Sequence, residues 1–158
     1  MIKVGLGVDV HAFEEGRPCI LGGVVIPHPR GLTGHSDADA LVHAIMDALL
    51  GAVGERDIGH FFPNTDARWK DADSLHLLAK VRETLAARKA AIHNVDATLI
   101  AQEPKLAPHL PVMLENLSRV LGIPAGRIAV KATTCEWMGF VGRKEGVVAL
   151  AVACVDTE

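Results

Sequence analysis

The hydrophobic pattern begins with a β-branched stretch, Ile2–Val10, spaced by Gly5 and Gly7, which predicts a strand ending at Asp9-Val10-His11. Cys19–Pro27 reads as a hairpin, with Gly22-Gly23 able to supply positive φ and Pro27 closing it. The period then changes. Leu41, Val42, Ile45, Met46, Leu49, Leu50 and Val53 follow helical spacing, with Ser36 or Asp37 as the N-cap and Gly54 as the stop. Asp57–Trp69 has no period and reads as a loop, long enough to suggest function. A helix is expected over Ala72–Lys89, a strand over Asn94–Gln102, and a helix over Pro111–Leu121, ended by Gly122 and Pro124. Ile128–Thr134 predicts a strand, and the apolar run Gly146–Val155 a strand buried on both faces. The order β-β-β-α-α-β-α-β-β predicts an α+β fold, a mixed sheet covered by helices on one face. Its other face then needs a partner, and VVALAVACV suggests sheets meeting across the axis of a homo-oligomer.

Composition narrows the class. With 158 residues, 49% apolar and 22% charged, the chain reads as one domain, 1–158. A domain of this size buries roughly 68–70% of its unfolded surface, so a metal is expected to serve function rather than folding. Sixteen basic against nineteen acidic residues, scattered, leave no field suited to nucleic acid. The apolar run Ala40–Val53 is broken by His43 and Asp47, so no membrane span is expected. MIKVGLGVDVH lacks the apolar core of a signal peptide, and the three cysteines, Cys19, Cys135 and Cys154, show no CxxC spacing. A cytoplasmic protein with reduced thiols is the expectation.

Candidate chemistry lies in three places. Asp9 and His11, two apart on a strand, leave the same face and can share a metal. His43 lies on the first helix in a polar stripe with Asp39 and Asp47, either of which could orient its imidazole. Asp9, His11 and His43 form a His₂-carboxylate set of the type that holds Zn²⁺ with one position left open; a turn pair plus a hydrogen-bonded helix residue is the plainer alternative. His35-Ser36-Asp37-Ala38-Asp39 precedes that helix, where free N–H groups favour an anion, or where the segment simply caps. Lys131–Gly146 carries Thr133, Thr134 and Cys135, with Glu136 offering a hard oxygen for Mg²⁺ or Mn²⁺. A connector with solvated charges and a small buried thiol is the alternative there.

GVDVHAF, GLTGHSDADALVHAIMDALLGA, DIGHFFPNTD, IAQEPKLAPH and KATTCEWMGFVGRKEGVVALAV together resemble the 2-C-methyl-D-erythritol 2,4-cyclodiphosphate synthase family, in order and over essentially the whole chain. The resemblance implies a homotrimer of α+β subunits with active sites between neighbours. The 2-phosphate of 4-diphosphocytidyl-2-C-methyl-D-erythritol 2-phosphate would attack the β-phosphorus of the same molecule and release CMP, in the non-mevalonate isoprenoid pathway. It implies Zn²⁺ on Asp9, His11 and His43, a second divalent ion (Mg²⁺ or Mn²⁺) on Glu136, and transition-state stabilisation by His35 and Thr134. Substrate contacts would come from Asp9, Val10, His11, His35 and Ser36, from Asp57, Ile58 and Gly59, and from Phe62, Pro63, Asn64, Thr65 and Asp66. Ala101, Gln102, Glu103, Pro104, Lys105, Leu106 and Ala107 would bind the cytidine end from the adjacent subunit, with Thr133, Thr134, Cys135 and Glu136 at the phosphates. Phe140 and Arg143 would line the region near the trimer axis, where a prenyl diphosphate could bind.

Asn64, Cys135 and Lys144 depart from the family's usual acid, Thr and Gly. Cys135 loses a hydroxyl, and Lys144 beside Arg143 adds positive charge that would favour an anion at the axis. A single-domain form, not fused to the upstream cytidylyltransferase, is expected. A zinc hydrolase and a non-catalytic, metabolite-binding trimeric scaffold remain the competing readings.

Overall fold

A computed structural model describes residues 1–158. The strands are β1 (Ile2–Glu15), β2 (Cys19–Leu21), β3 (Val24–Ile26), β4 (Arg30–Leu32), β5 (Ala90–Ile100), β6 (Ile128–Thr133) and β7 (Gly146–Thr157). The helices are α1 (Ala40–Ala52), α2 (Ile58–Phe61), α3 (Ser74–Ala87), α4 (Leu110–Leu121) and α5 (Gly139–Gly142). One mixed sheet has the order β4-β1-β7-β5-β6, and β2 and β3 form the expected hairpin. β7 is antiparallel to both β1 and β5, while β6 runs parallel to β5. The α+β architecture with helices on one face is therefore present.

Alternation along β1 explains how the layers meet. Gly5 and Gly7 point inward; Val4, Leu6, Val8 and Val10 point outward and are exposed. A Cβ on Gly7 would lie 1.9 Å from the Ala44 carbonyl oxygen, and one on Gly5 2.0 Å from that of Ala48. Both glycines are thus sites where the backbone of α1 rests directly on the strand, with Ala44, Ala48 and Ala52 completing the seam. Beyond Gly7 the same inward face presents Asp9 and His11. His43, one residue before Ala44, arrives opposite them.

Several expectations are corrected. β1 runs on to Glu15, where it pairs with the unexpected β4. β5 begins at Ala90 rather than Asn94, and α3 at Ser74 rather than Ala72. The run in β7 is buried on one face only: Val147, Ala149, Ala151, Ala153 and Val155 meet the helices, while Val152 on the other face is exposed. Apolar residues fill both sides of this strand, but the chain supplies a helical layer for only one. Asp57–Trp69 is not structureless, since it contains α2 and a 3₁₀ turn at Ala67–Trp69. α1 is capped by Asp39, not Ser36 or Asp37, because Ala38 takes φ +58° and turns the chain first. The 136–145 connector contains the short helix α5.

The carboxyl ends of β1, β5 and β6 and the amino end of β7 lie at one end of the sheet, as the pairings His11↔Val147, Ile100↔Val148 and Ile100↔Thr133 require. The two chain termini lie at the other end: Ile2 pairs with Asp156, whose carboxylate is 2.9 Å from the Met1 ammonium.

Candidate active site

Asp9 Oδ2 lies 2.7 Å from His11 Nε2 and 3.2 Å from His43 Nδ1, and those two nitrogens are 3.2 Å apart. These three are the only group of His, Cys, Asp or Glu residues in the chain whose ligand atoms converge in this way, all within 4.8 Å of one another. A tetrahedral ion with bonds of about 2.0–2.1 Å holds its ligand atoms about 3.3 Å apart, so the side chains fit such an ion with little movement.

The surroundings set the imidazoles. His11 Nδ1 lies 2.6 Å from the Thr33 carbonyl oxygen, so Nδ1–H donates there and Nε2 keeps its lone pair for the cluster. His43 Nε2 is 2.9 Å from Ser74 Oγ and 3.1 Å from Ser36 Oγ, and the Ser74 hydroxyl donates to Asp37. That chain keeps the His43 proton on Nε2 and turns Nδ1 toward Asp9 and His11. Neither expected acid touches the ring. Asp39 instead accepts from the Gly22, Gly23 and Val42 amides, and Asp47 from the Ile58 amide at 2.8 Å. Burial would push the Asp9 carboxyl up, but the hydrogen bonds and charge that His11 and His43 supply when their facing nitrogens are protonated outweigh it and hold it at about 2. Burial works against a proton on His11 as well, yet the hydrogen bond and charge of Asp9 raise its pKa.

The cluster opens into a cavity of about 220 Å³ that also receives His35, Ser36, Ile58, Gly59, Phe62 and Asn64. His35 Nε2 donates to the Asp66 carbonyl oxygen at 3.2 Å. Arg17 fixes the backbone on either side of His35, donating to the carbonyls of Gly34 (3.0 Å) and Ser36 (2.6 Å). Trp69 lines the same space, and its indole N–H is buried without an acceptor. Asp57 caps α2 through the His60 amide, and the Asp66 carboxylate pairs with Arg68. Val10 stands on the outer face of β1.

A second cavity, about 240 Å³, is lined by Ala101, Gln102, Pro104, Lys105, Leu106 and Ala107 together with Ala132, Thr133 and Thr134. It shares no lining residue with the first. Thr134 Oγ1 donates to Glu136 Oε1 at 3.2 Å, and Glu136 stays exposed, apart from the convergent group. Cys135 is half-buried and unpaired. Glu103 is turned instead to Lys144, Arg30 and His28. Phe140 and Arg143 are exposed and line neither cavity; Arg143 pairs with Glu145 at 2.6 Å. The Lys144 ammonium, expected to face an axial anion, is 2.9 Å from Glu103.

Sequence reasoning missed Ser74, Arg17, His28 and Trp69. Ser74 follows Asp73 at a helix start and reads as ordinary capping chemistry; its partners are 31 and 37 residues away in sequence.

Comparison with known proteins adds the following. A family model described as the YgbB family matches residues 2–156. A 2-C-methyl-D-erythritol 2,4-cyclodiphosphate synthase from Salinibacter ruber is 54% identical over 156 residues, covering 99% of each chain. The bifunctional IspDF from Campylobacter jejuni superposes with a TM-score of 0.96 at 41% identity, over 100% of this chain and 43% of that one. The CDP complex of IspF from Plasmodium falciparum superposes with a TM-score of 0.87 at 33% identity, over 99% of this chain and 97% of that one.

Proposed function

The chain belongs to the YgbB family, and from that membership we propose that it is a 2-C-methyl-D-erythritol 2,4-cyclodiphosphate synthase of the non-mevalonate isoprenoid pathway. The observation that carries this reading is the convergence of Asp9, His11 and His43 in a cavity that also receives His35.

In the reaction, an oxygen of the 2-phosphate forms a bond to the β-phosphorus of the same molecule. The bond from that phosphorus to the oxygen of the cytidylyl phosphate breaks, and CMP leaves with the electron pair. No proton has to move, so the step needs no dedicated general base. Tethering nucleophile to electrophile is worth about 7–11 kcal/mol if the substrate is held folded. The protein's work is then orientation and charge neutralisation.

Asp9, His11 and His43 would hold Zn²⁺, which supplies Lewis-acid charge at the phosphoryl oxygens when bound. Glu136 would hold a second divalent ion, Mg²⁺ or Mn²⁺. The His35 imidazole and Thr134 hydroxyl would donate to oxygens that gain charge. Ser36, Asp57, Ile58, Gly59 and the segment from Phe62 through Pro63, Asn64 and Thr65 to Asp66 would enclose the erythritol part, beside Asp9, Val10 and His11. Residues 101–107 would take the cytidine end, with Thr133, Cys135 and Glu136 at the diphosphate.

The assembly is a homotrimer in this reading. The outward ridge Val4, Leu6, Val8 and Val10, each at least half exposed in the isolated chain, supports burial against other copies. Two cavities without a common lining residue support a site completed by a neighbouring subunit. Phe140 and Arg143 would lie near the axis and take a prenyl diphosphate. Three unpaired cysteines support a cytoplasmic setting, and no helix is long and apolar enough to cross a membrane.

Phosphorus NMR of the authentic substrate tests the reading. Cyclic diphosphate with stoichiometric CMP is expected. A linear hydrolysed product would replace it with a zinc hydrolase, and bound but unchanged substrate with a binding scaffold.

A further inference from the structure

The segment Ala101–Ala107 is fastened to the turn 136–145 at two consecutive residues. The Trp137 amide donates to Gln102 Oε1 at 3.0 Å, and Lys144 Nζ lies 2.9 Å from Glu103 Oε2. The other oxygen of Glu103 faces His28 Nε2 at 3.3 Å and Arg30 Nη2 at 3.4 Å. Arg30 Nη2 also donates to the Lys144 carbonyl at 2.9 Å, so the arginine touches both members of the Lys144–Glu103 pair. Behind them, Arg30 and His28 both pack on the Phe13 ring, each 4.9 Å from its centroid. Lys144 itself has φ +62°, a conformation that suits glycine and costs another residue about 1 kcal/mol or more. Its ammonium lies 5.5 Å from the centroid of Trp137, whose amide makes the neighbouring tether.

We propose that Lys144 is a positioning residue: acting through Glu103, it holds residues 101–107 in the shape that receives the nucleotide, so its charge sets nucleotide affinity without touching the ligand. This rests on the reading of the second cavity as the cytidine site. Lys144 does not line that cavity, and Lys105, which does, is exposed and free to face a ligand. An isolated exposed ion pair is worth little. A carboxylate shared by two cationic side chains and an imidazole, with the arginine also tying down the lysine's backbone, instead orders the segment before the ligand arrives and removes an ordering cost from binding.

The test uses the intact protein, with CDP affinity measured by titration calorimetry and kcat and KM followed through CMP release. Lys144→Gln keeps the backbone position and removes the charge. It is expected to weaken CDP binding about two- to fivefold, the range that an exposed-pair coupling of up to about 1 kcal/mol allows. KM should rise by the same factor with kcat within twofold, and Lys144→Arg should restore affinity. If Lys144 acts through Glu103, the double variant Glu103→Gln/Lys144→Gln should bind CDP no worse than Glu103→Gln alone. Unchanged CDP affinity in Lys144→Gln while Lys105→Ala weakens it would overturn the positioning role and leave the cavity assignment standing. Unchanged affinity in Lys105→Ala would overturn the cavity assignment and the proposal with it, and a fall in kcat without a rise in KM would refute positioning.

Discussion

The two cavities at one end of the sheet are built on opposite principles. Around Asp9, His11 and His43 the chain invests buried, directional chemistry: the Thr33 carbonyl behind one imidazole, Ser36, Ser74 and Asp37 behind the other, and Arg17 pinning the His35 backbone. Around residues 101–107 the lining is largely exposed, and its supports are ion pairs and a single amide contact. To hold one ion, as proposed, such a cluster would have to present three lone pairs to one point with little error, which fits a geometry set before anything binds. The second cavity, if it takes the flexible nucleotide proposed for it, tolerates more and can be tuned at its margins. Substitutions behind Asp9, His11 and His43 should therefore be costly, and substitutions behind residues 101–107 graded.

The sharpest way to break that contrast is Gly7→Ala. A methyl group would sit against the Ala44 backbone, forcing α1 off β1. A loss of about 3 kcal/mol or more in urea denaturation is expected, along with loss of metal binding; a stability within experimental error of the parent would show that His43 is not positioned by this seam. Next in size is His43→Ala. It should leave a folded protein while zinc content by elemental analysis falls and turnover disappears, and full zinc occupancy in that variant would refute its assignment as a ligand. Ser74→Ala tests the shell one step out. A 10- to 100-fold loss of zinc affinity is expected, read by competition with a chelator, and affinity equal to the parent would mean that Ser36 alone orients the ring.

The smallest effect belongs to the other cavity. The Lys144 ammonium, opposed slightly by burial, holds the Glu103 carboxyl below its usual value of 4.5. Because the folded pKa is depressed, the pair's contribution is present above the unfolded value and is lost as pH falls through the folded one. The stability gap between the parent and Lys144→Gln, under about 1 kcal/mol, should be constant from neutral pH down to about 5 and close below about 4. A gap that persists at pH 3 would show that something other than this ion pair sustains it.

What the sequence revealed of this arrangement follows the range of the interactions. Asp9 and His11 were legible because a two-residue period puts them on one face, and His43 because the helical period around it is clear. Residue type alone groups the three as a candidate His₂-carboxylate set beside the plainer turn-pair alternative, and the resemblance to a family pattern implies one site, since no local rule brings residue 43 to residue 9. Asp39 and Asp47 were misread because spacing reports only that they share a stripe with His43. Whether a carboxylate meets an imidazole or a backbone amide depends on the hairpin at Gly22-Gly23 and the turn at Ile58, which the helix pattern does not encode. Ser74 and His28 carry no local signal at all. β7 was misjudged for a related reason: an apolar residue destined for a neighbouring helix and one left for another surface are written identically.

Met1 and Thr157 lie side by side at the end of the sheet opposite both cavities. From Ile2 to His11 a strand covers about 30 Å, so a covalent link between the chain's two ends would pass far from either cavity. The fold should therefore survive circular permutation: joining residue 158 to residue 1 through a short glycine-rich bridge and opening the chain at the exposed turn around Gly16 would cut no sheet ladder.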